Sequence, residues 1–136
     1  MTTVTMPLVS AITAGVLLII QMLLMLRTAL TRRSAGVSLG SGEGDLLRRS
    51  RRHGNLAENA AIFIAGFTLV ELMGENRVWL EVACGLFVFA RLLHIVGLSQ
   101  KNTVNAFRVV GVILTFAIGV GLGIRLIHLA WTHLAG

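Results

Sequence analysis

The sequence predicts an all-α membrane protein, a four-helix transmembrane bundle forming a single integral domain over residues 1–136. Three observations point there. Hydrophobic residues make up 55% of the chain and charged ones only 13%, whereas soluble domains carry about a quarter charged; the mean hydropathy is +0.83. Four segments reach or approach the roughly twenty apolar residues that a bilayer core demands. None shows the alternation of apolar and polar positions, over about ten residues, that builds a membrane barrel.

The first span, at about residues 6–29, contains "PLVSAITAGVLLIIQMLLML", with Pro7 tolerable in a first helical turn. It lacks the basic leader and small-residue cleavage pattern of a secretory signal. The arginines behind it, from Arg27 to Arg33, resemble a stop-transfer flank, so the helix is expected to be retained. A loop at about residues 31–45 includes the glycine-rich "GVSLGSGEG".

The second span, about 46–73, starts as a polar helix near Asp45 and turns apolar from Ala60 to Leu72. The third, about 78–98, contains the single cysteine, Cys84, which reads as a small apolar residue. The fourth covers about 104–132 and carries Thr115, Gly119 and Gly123 at four-residue spacing. Such a stripe permits close helix approach in lipid, within one subunit in preference to between subunits.

Basic residues set the orientation. Arg27, Arg32, Arg33, Arg48, Arg49, Arg51 and Arg52 surround the first connection, and Lys101 and Arg108 the third. The second connection, "ELMGENR", has two glutamates and one arginine. The positive-inside bias therefore places the first and third connections in the cytoplasm and both termini outside, as suits a bacterial inner membrane. The net charge of +6 is this asymmetry. It does not point to nucleic acid, since the arginines border apolar helices without interleaved stacking aromatics.

The segment "RRSRRHGNLAEN" is too polar for its position next to "AAIFIAGFTLV". On a helix, Arg48, Arg51, Arg52, Asn55, Glu58 and Asn59 fall within an arc of roughly 120°. Charged groups at that depth must face a bundle interior or a wet cleft. The third helix offers Arg91 and His94 on one face, and Glu58 is the expected acidic partner of Arg91. The excess positive charge suits a small anion with two or more carboxylates, gripped by arginine forks and amides. Arg49 and His53 lie outside the stripe and read as headgroup anchors.

These same residues carry a family resemblance. "GVSLGSGEGDLLRRSRRHGNLAENAAIF", "FARLLHIVGLS" and "NAFRVVGVILT" together resemble the MAPEG superfamily, membrane-associated proteins of eicosanoid and glutathione metabolism. The resemblance implies a homotrimer of four-helix subunits, with glutathione held between subunits near the cytoplasmic side. By residue it implies that Arg48, Arg51, Asn55 and Glu58 hold glutathione, that Arg91 and His94 line the same site, and that Arg108 stabilises the thiolate. Arg27 is a weaker correspondence in the same set. The implied activity is that of a transferase or peroxidase acting on a hydrophobic small-molecule substrate that enters from membrane lipid.

One departure stands out: the family's third-helix motif commonly ends in tyrosine, and here that position is Leu98 in a chain with no tyrosine. The alternative is therefore a non-catalytic lipid- or partner-binding scaffold of the same fold. A proton-coupled transporter would need a titratable acid at the midplane, whereas Glu58 lies toward one end of its helix. A haem site would rest on His94 alone, and a lone helix histidine is more often hydrogen-bonded structure.

Overall fold

In a computed structural model that describes residues 6–40, 42–100, 102 and 105–136, four helices follow one another: α1 (Leu8–Ala35), α2 (Gly44–Leu72), α3 (Arg77–Ser99) and α4 (Ala106–Ala135). All four are long and apolar enough to cross a membrane. Lys101 lies outside the described residues, as does residue 104, where the fourth span was expected to begin.

Local chemistry sets the ends. α1 begins directly after Pro7 and continues past residue 29, the expected end of its span, to Ala35. Arg32 and Arg33 occupy its last turn, where cations favour the negative end of the helix dipole. It stops at Gly36, whose left-handed backbone (φ 65°) lets its N–H reach the Arg33 carbonyl while Val37 N–H reaches that of Arg32. The polar start of α2 has Asp45 in its first turn, 2.6 Å from Arg49 Nε and 3.5 Å from Arg48 Nη2. Asn side chains cap the other two helices: Asn76 Oδ1 accepts from Trp79 N–H at 3.1 Å and Asn105 Oδ1 from Arg108 N–H at 3.0 Å.

α2 and α3 form the centre. α1 packs on both, and so does α4, but α1 and α4 do not touch among the described residues. The core between them is aromatic: Phe63 of α2 stacks on Phe87 of α3 with centroids 4.0 Å apart and planes 12° apart, and Phe67 meets Phe87 edge-on. Leu17, Leu56, Val70, Leu80 and Cys84, with Leu122 and Leu129 of α4, fill the remainder. Cys84 is thus the small apolar core residue its sequence context predicts.

Glycines bring α4 close. A Cβ at Gly111 would lie 2.8 Å from the Ala90 carbonyl oxygen, and one at Gly66 2.8 Å from Leu122 Cδ2. Two of the three stripe residues are used inside the chain: Thr115 is buried against α3, and a Cβ at Gly119 would sit 3.0 Å from Phe63 Cζ, whereas one at Gly123 would meet nothing within 4 Å. Outward surfaces remain apolar, with Ile12, Ile62, Val78, Phe116 and Ile127 all exposed. Without water in the bilayer core there is no penalty for this, and lipid is their natural solvent.

The antiparallel order puts two distinct clusters at opposite ends. At one, Arg32 reaches Ser50, Arg52 Nη1 donates to Ser99 Oγ at 2.9 Å, and Asn105 Nδ2 donates to the Gly97 carbonyl at 2.8 Å. At the other, Glu71 accepts from Val9 N–H (2.9 Å), Ser10 N–H (2.8 Å) and Ser10 Oγ (2.6 Å), closing the start of α1. There too Arg125 of α4 forms a bidentate pair with Glu75, which lies in the α2–α3 connection.

Candidate functional site

At the basic end a groove of about 420 Å³ opens between α2, the end of α3 and the start of α4. Three of its side chains come from α2. Arg48, Arg51 and Asn55 stand at i, i+3 and i+7, one face of a helix. Leu98 contributes an apolar wall from α3 and Arg108 a cation from the first turn of α4.

Close backbone approach brings Arg108 there. A Cβ on Gly97 would meet Arg108 N at 2.6 Å, so only glycine lets α4 start against the last turn of α3. The Asn105 cap fixes the same corner from the other side. Arg52, at the edge of the stripe, bonds Ser99 and thereby holds α2 to α3. Asn55 Nδ2 donates to the Arg51 carbonyl at 3.1 Å and Asn59 Nδ2 to the Asn55 carbonyl at 2.9 Å, so both amides bond back along α2.

The groove therefore gathers three guanidiniums, and none of its lining residues is an acid. The nearby carboxylate, Asp45, is engaged by Arg48 and Arg49. Such an arrangement attracts carboxylates, which arginine grips through paired N–H donors.

The structure divides the eight residues singled out from the sequence. Arg48, Arg51, Asn55 and Arg108 line the groove. Arg27 and Glu58 are exposed, on α1 and α2, and do not line it. Arg91 and His94 are buried, 3% and 5% exposed, in the seam between α3 and α4.

The expected Glu58–Arg91 pair is not formed. Arg91 Nη2 instead donates to Thr115 Oγ1 and, at 3.4 Å, to the Gly111 carbonyl, and its guanidinium lies 5.9 Å from the Phe87 ring centre. The reason is rotational: Arg91 points from α3 toward α4, whereas Glu58 sits on an outward face of α2. Arg91 Nε and both ring nitrogens of His94 are buried without a hydrogen-bond partner.

Sequence reasoning also left polar residues unassigned at the opposite end. Arg125 lies within an apolar helix, and a cation there calls for an acid or carbonyl partner. That requirement was a usable signal, since Glu75 is among the few carboxylates of the chain. No comparable signal announced the three bonds from α1 to Glu71, because a start of helix near Ser10 is compatible with capping by water.

Over residues 10–128 the sequence matches the MAPEG family. The chain belongs to the MAPEG family. The match spans all four helices, including most of α1, for which the sequence motifs carried no signature. No curated protein and no solved structure shows a significant match to the chain. MAPEG membership, with four apolar spanning helices, makes this a multi-pass integral membrane protein. The MAPEG family is one of membrane proteins associated with glutathione-dependent transferase and peroxidase chemistry, and it includes members without catalysis.

Proposed function

We propose that this MAPEG protein is a membrane-embedded glutathione-dependent transferase or peroxidase acting on hydrophobic electrophiles. The observation that carries the reading is the convergence of Arg48, Arg51, Asn55 and Arg108 on one groove. Its 420 Å³ lies within the roughly 300–1,000 Å³ of small-molecule sites. Glutathione has two carboxylates and a peptide backbone, which suits arginine forks and an amide.

In this reading Arg48 and Arg51 hold carboxylates while Asn55 addresses the peptide. Arg108 stands on a different helix from these anchors, and a cation near the thiol favours its ionised form. Arginine serves because it remains charged at any working pH. When bound, glutathione supplies a sulfur nucleophile that bonds to an electrophilic carbon as the leaving group departs with its electron pair. The apolar outer faces of the helices allow a lipid-soluble substrate to arrive from the bilayer.

Arg27 and Glu58 point out of the subunit, which supports assembly as a homotrimer in which they meet a neighbouring groove. Arg91 acts behind the site, tying α3 to α4 through the Thr115 hydroxyl and the Gly111 carbonyl, and His94 is buried beside it in the same seam. The arginine-rich end is assigned to the cytoplasmic side and the termini to the periplasmic side of a bacterial inner membrane, on the charge asymmetry of the connections.

A second reading, a non-catalytic scaffold of the same fold, is favoured by one observation. Leu98 lines the groove at the place where the family motif commonly has tyrosine, so no phenol is available there. Glutathione conjugation to a chlorinated nitroarene, measured for the wild type and for Arg108→Ala, decides between them. Conjugation lost in the variant while glutathione still raises Tm supports the enzyme. Glutathione binding by the wild type without turnover supports the scaffold, and absence of both removes the glutathione assignment.

A further inference from the structure

A second polar cavity, of about 280 Å³, lies between α1 and α2. Thr28, Arg32, Ser50 and His53 line its polar part, and Met25 and Ala29 its apolar part. None of these residues belongs to the cationic groove. On α2, Ser50 and His53 sit roughly opposite Arg48, Arg51 and Asn55 around the helix axis.

The depth of the cavity is informative. Ser10 is tied to Glu71 at the other end of the bundle, where Trp79 and Trp131 also lie. From Ser10 to Thr28 the rise of an α-helix gives roughly 27 Å, close to the ~30 Å of a hydrocarbon core. Arg32 and the mouth of the cavity therefore fall at the headgroup level. Below it, Leu18, Met22, Met25 and Ala29 are all exposed and recur at helical spacing, an apolar track leading down from the cavity.

The lining chemistry is that of a phosphate site. Arg32 Nη2 reaches Ser50 Oγ at 3.5 Å, at the outer limit of a hydrogen bond, so a phosphate oxygen competes well for it. His53 adds a further donor, while the Thr28 hydroxyl is spent on the Leu24 carbonyl at 2.8 Å. No acid lines the cavity to receive a choline or ethanolamine ammonium, which disfavours zwitterionic headgroups.

We propose that this α1–α2 cavity seats the phosphate of an anionic phospholipid from the surrounding bilayer, with an acyl chain lying along Leu18, Met22 and Met25. The continuous apolar track is what selects a lipid over a free phosphate. The site is independent of the glutathione reading and stands or falls separately from it.

The test is native mass spectrometry of the purified protein with phosphatidylglycerol and phosphatidylcholine of identical chains, for the wild type, Arg32→Gln, His53→Gln and Arg33→Gln. Arg33 is exposed and outside the cavity, so it controls for general surface charge. The wild type and Arg33→Gln should retain phosphatidylglycerol over phosphatidylcholine, and Arg32→Gln should lower that retention by about fivefold. His53→Gln, which leaves Arg32 in place, should lower it less. Equal retention of the two lipids by the wild type overturns the proposal. So does an equal loss in Arg33→Gln, or displacement of the lipid by glycerol phosphate at equimolar concentration, which would mark a site for soluble anions.

Discussion

The Arg91 guanidinium donates to the Thr115 hydroxyl across the seam between α3 and α4, with both residues buried. One buried cation in an apolar bundle thus finds its partners in a hydroxyl and a helix carbonyl, not in an acid. Thr115 in turn donates to the Gly111 carbonyl at 2.7 Å, so a single carbonyl and hydroxyl hold the arginine. Thr115→Val keeps the shape and removes the acceptor. It should destabilise the protein by about 1–3 kcal/mol, the cost of leaving a buried donor unsatisfied, read from denaturant unfolding in detergent.

Gly97→Ala tests the corner that positions Arg108. Its new Cβ would approach backbone atoms of Arg108, not a flexible side-chain tip, so α4 must shift. Overpacking of this kind costs about 1–3 kcal/mol. Glutathione should then bind more weakly to Gly97→Ala than to the wild type in a calorimetric titration at a temperature where the variant is fully folded.

Glu71 holds the first turn of α1 through three hydrogen bonds. Glu71→Leu leaves those N–H groups without an acceptor from the chain, a loss comparable with removal of an N-cap, about 0.5–2 kcal/mol. Hydrogen exchange should rise at residues 8–12 and stay unchanged at the start of α4, which has its own Asn105 cap.

The Glu75–Arg125 pair predicts a pH dependence. Glu75 has a side chain only 2% exposed, and the Arg125 guanidinium bonded to it holds its carboxyl below the ordinary 4.5. A carboxyl whose folded value is depressed contributes stability that is complete above its unfolded value and is lost as pH falls through the folded one. Tm should therefore decline as pH drops below about 4.5, and Glu75→Gln should show a lower Tm at neutral pH with a flatter acid limb.

Leu98 faces the cationic groove, so Leu98→Tyr places a phenol in the groove proposed to hold glutathione. One added hydrogen bond is worth about 1 kcal/mol, or about fivefold in Kd. Glutathione titrated by thermal shift should show that tightening, and conjugation should rise with it if the enzyme reading holds.

Much of this molecule was legible in one dimension. Four apolar stretches define four helices able to span a bilayer, because lipid leaves the backbone no other choice than to bond within each helix. Helical periodicity likewise places Arg48, Arg51 and Asn55 on one face, and three residues of one face do line one groove. Periodicity does not say toward which neighbour a face turns. That is why Glu58, inside the predicted arc, ends up outward, and why Arg91 meets Thr115 instead of it.

The choice was made by close contacts between distant segments. Gly97 against Arg108 and Gly111 against Ala90 bring α4 onto α3, and the stacked rings of Phe63 and Phe87 set α2 against α3. Composition and spacing thus determined the number and polarity of the helices, which depend on each segment's own solvation in lipid. Only the tertiary structure decided which side chains share a cavity, because in an apolar solvent helices associate through shape and hydrogen bonding, properties of pairs of surfaces that no single segment carries.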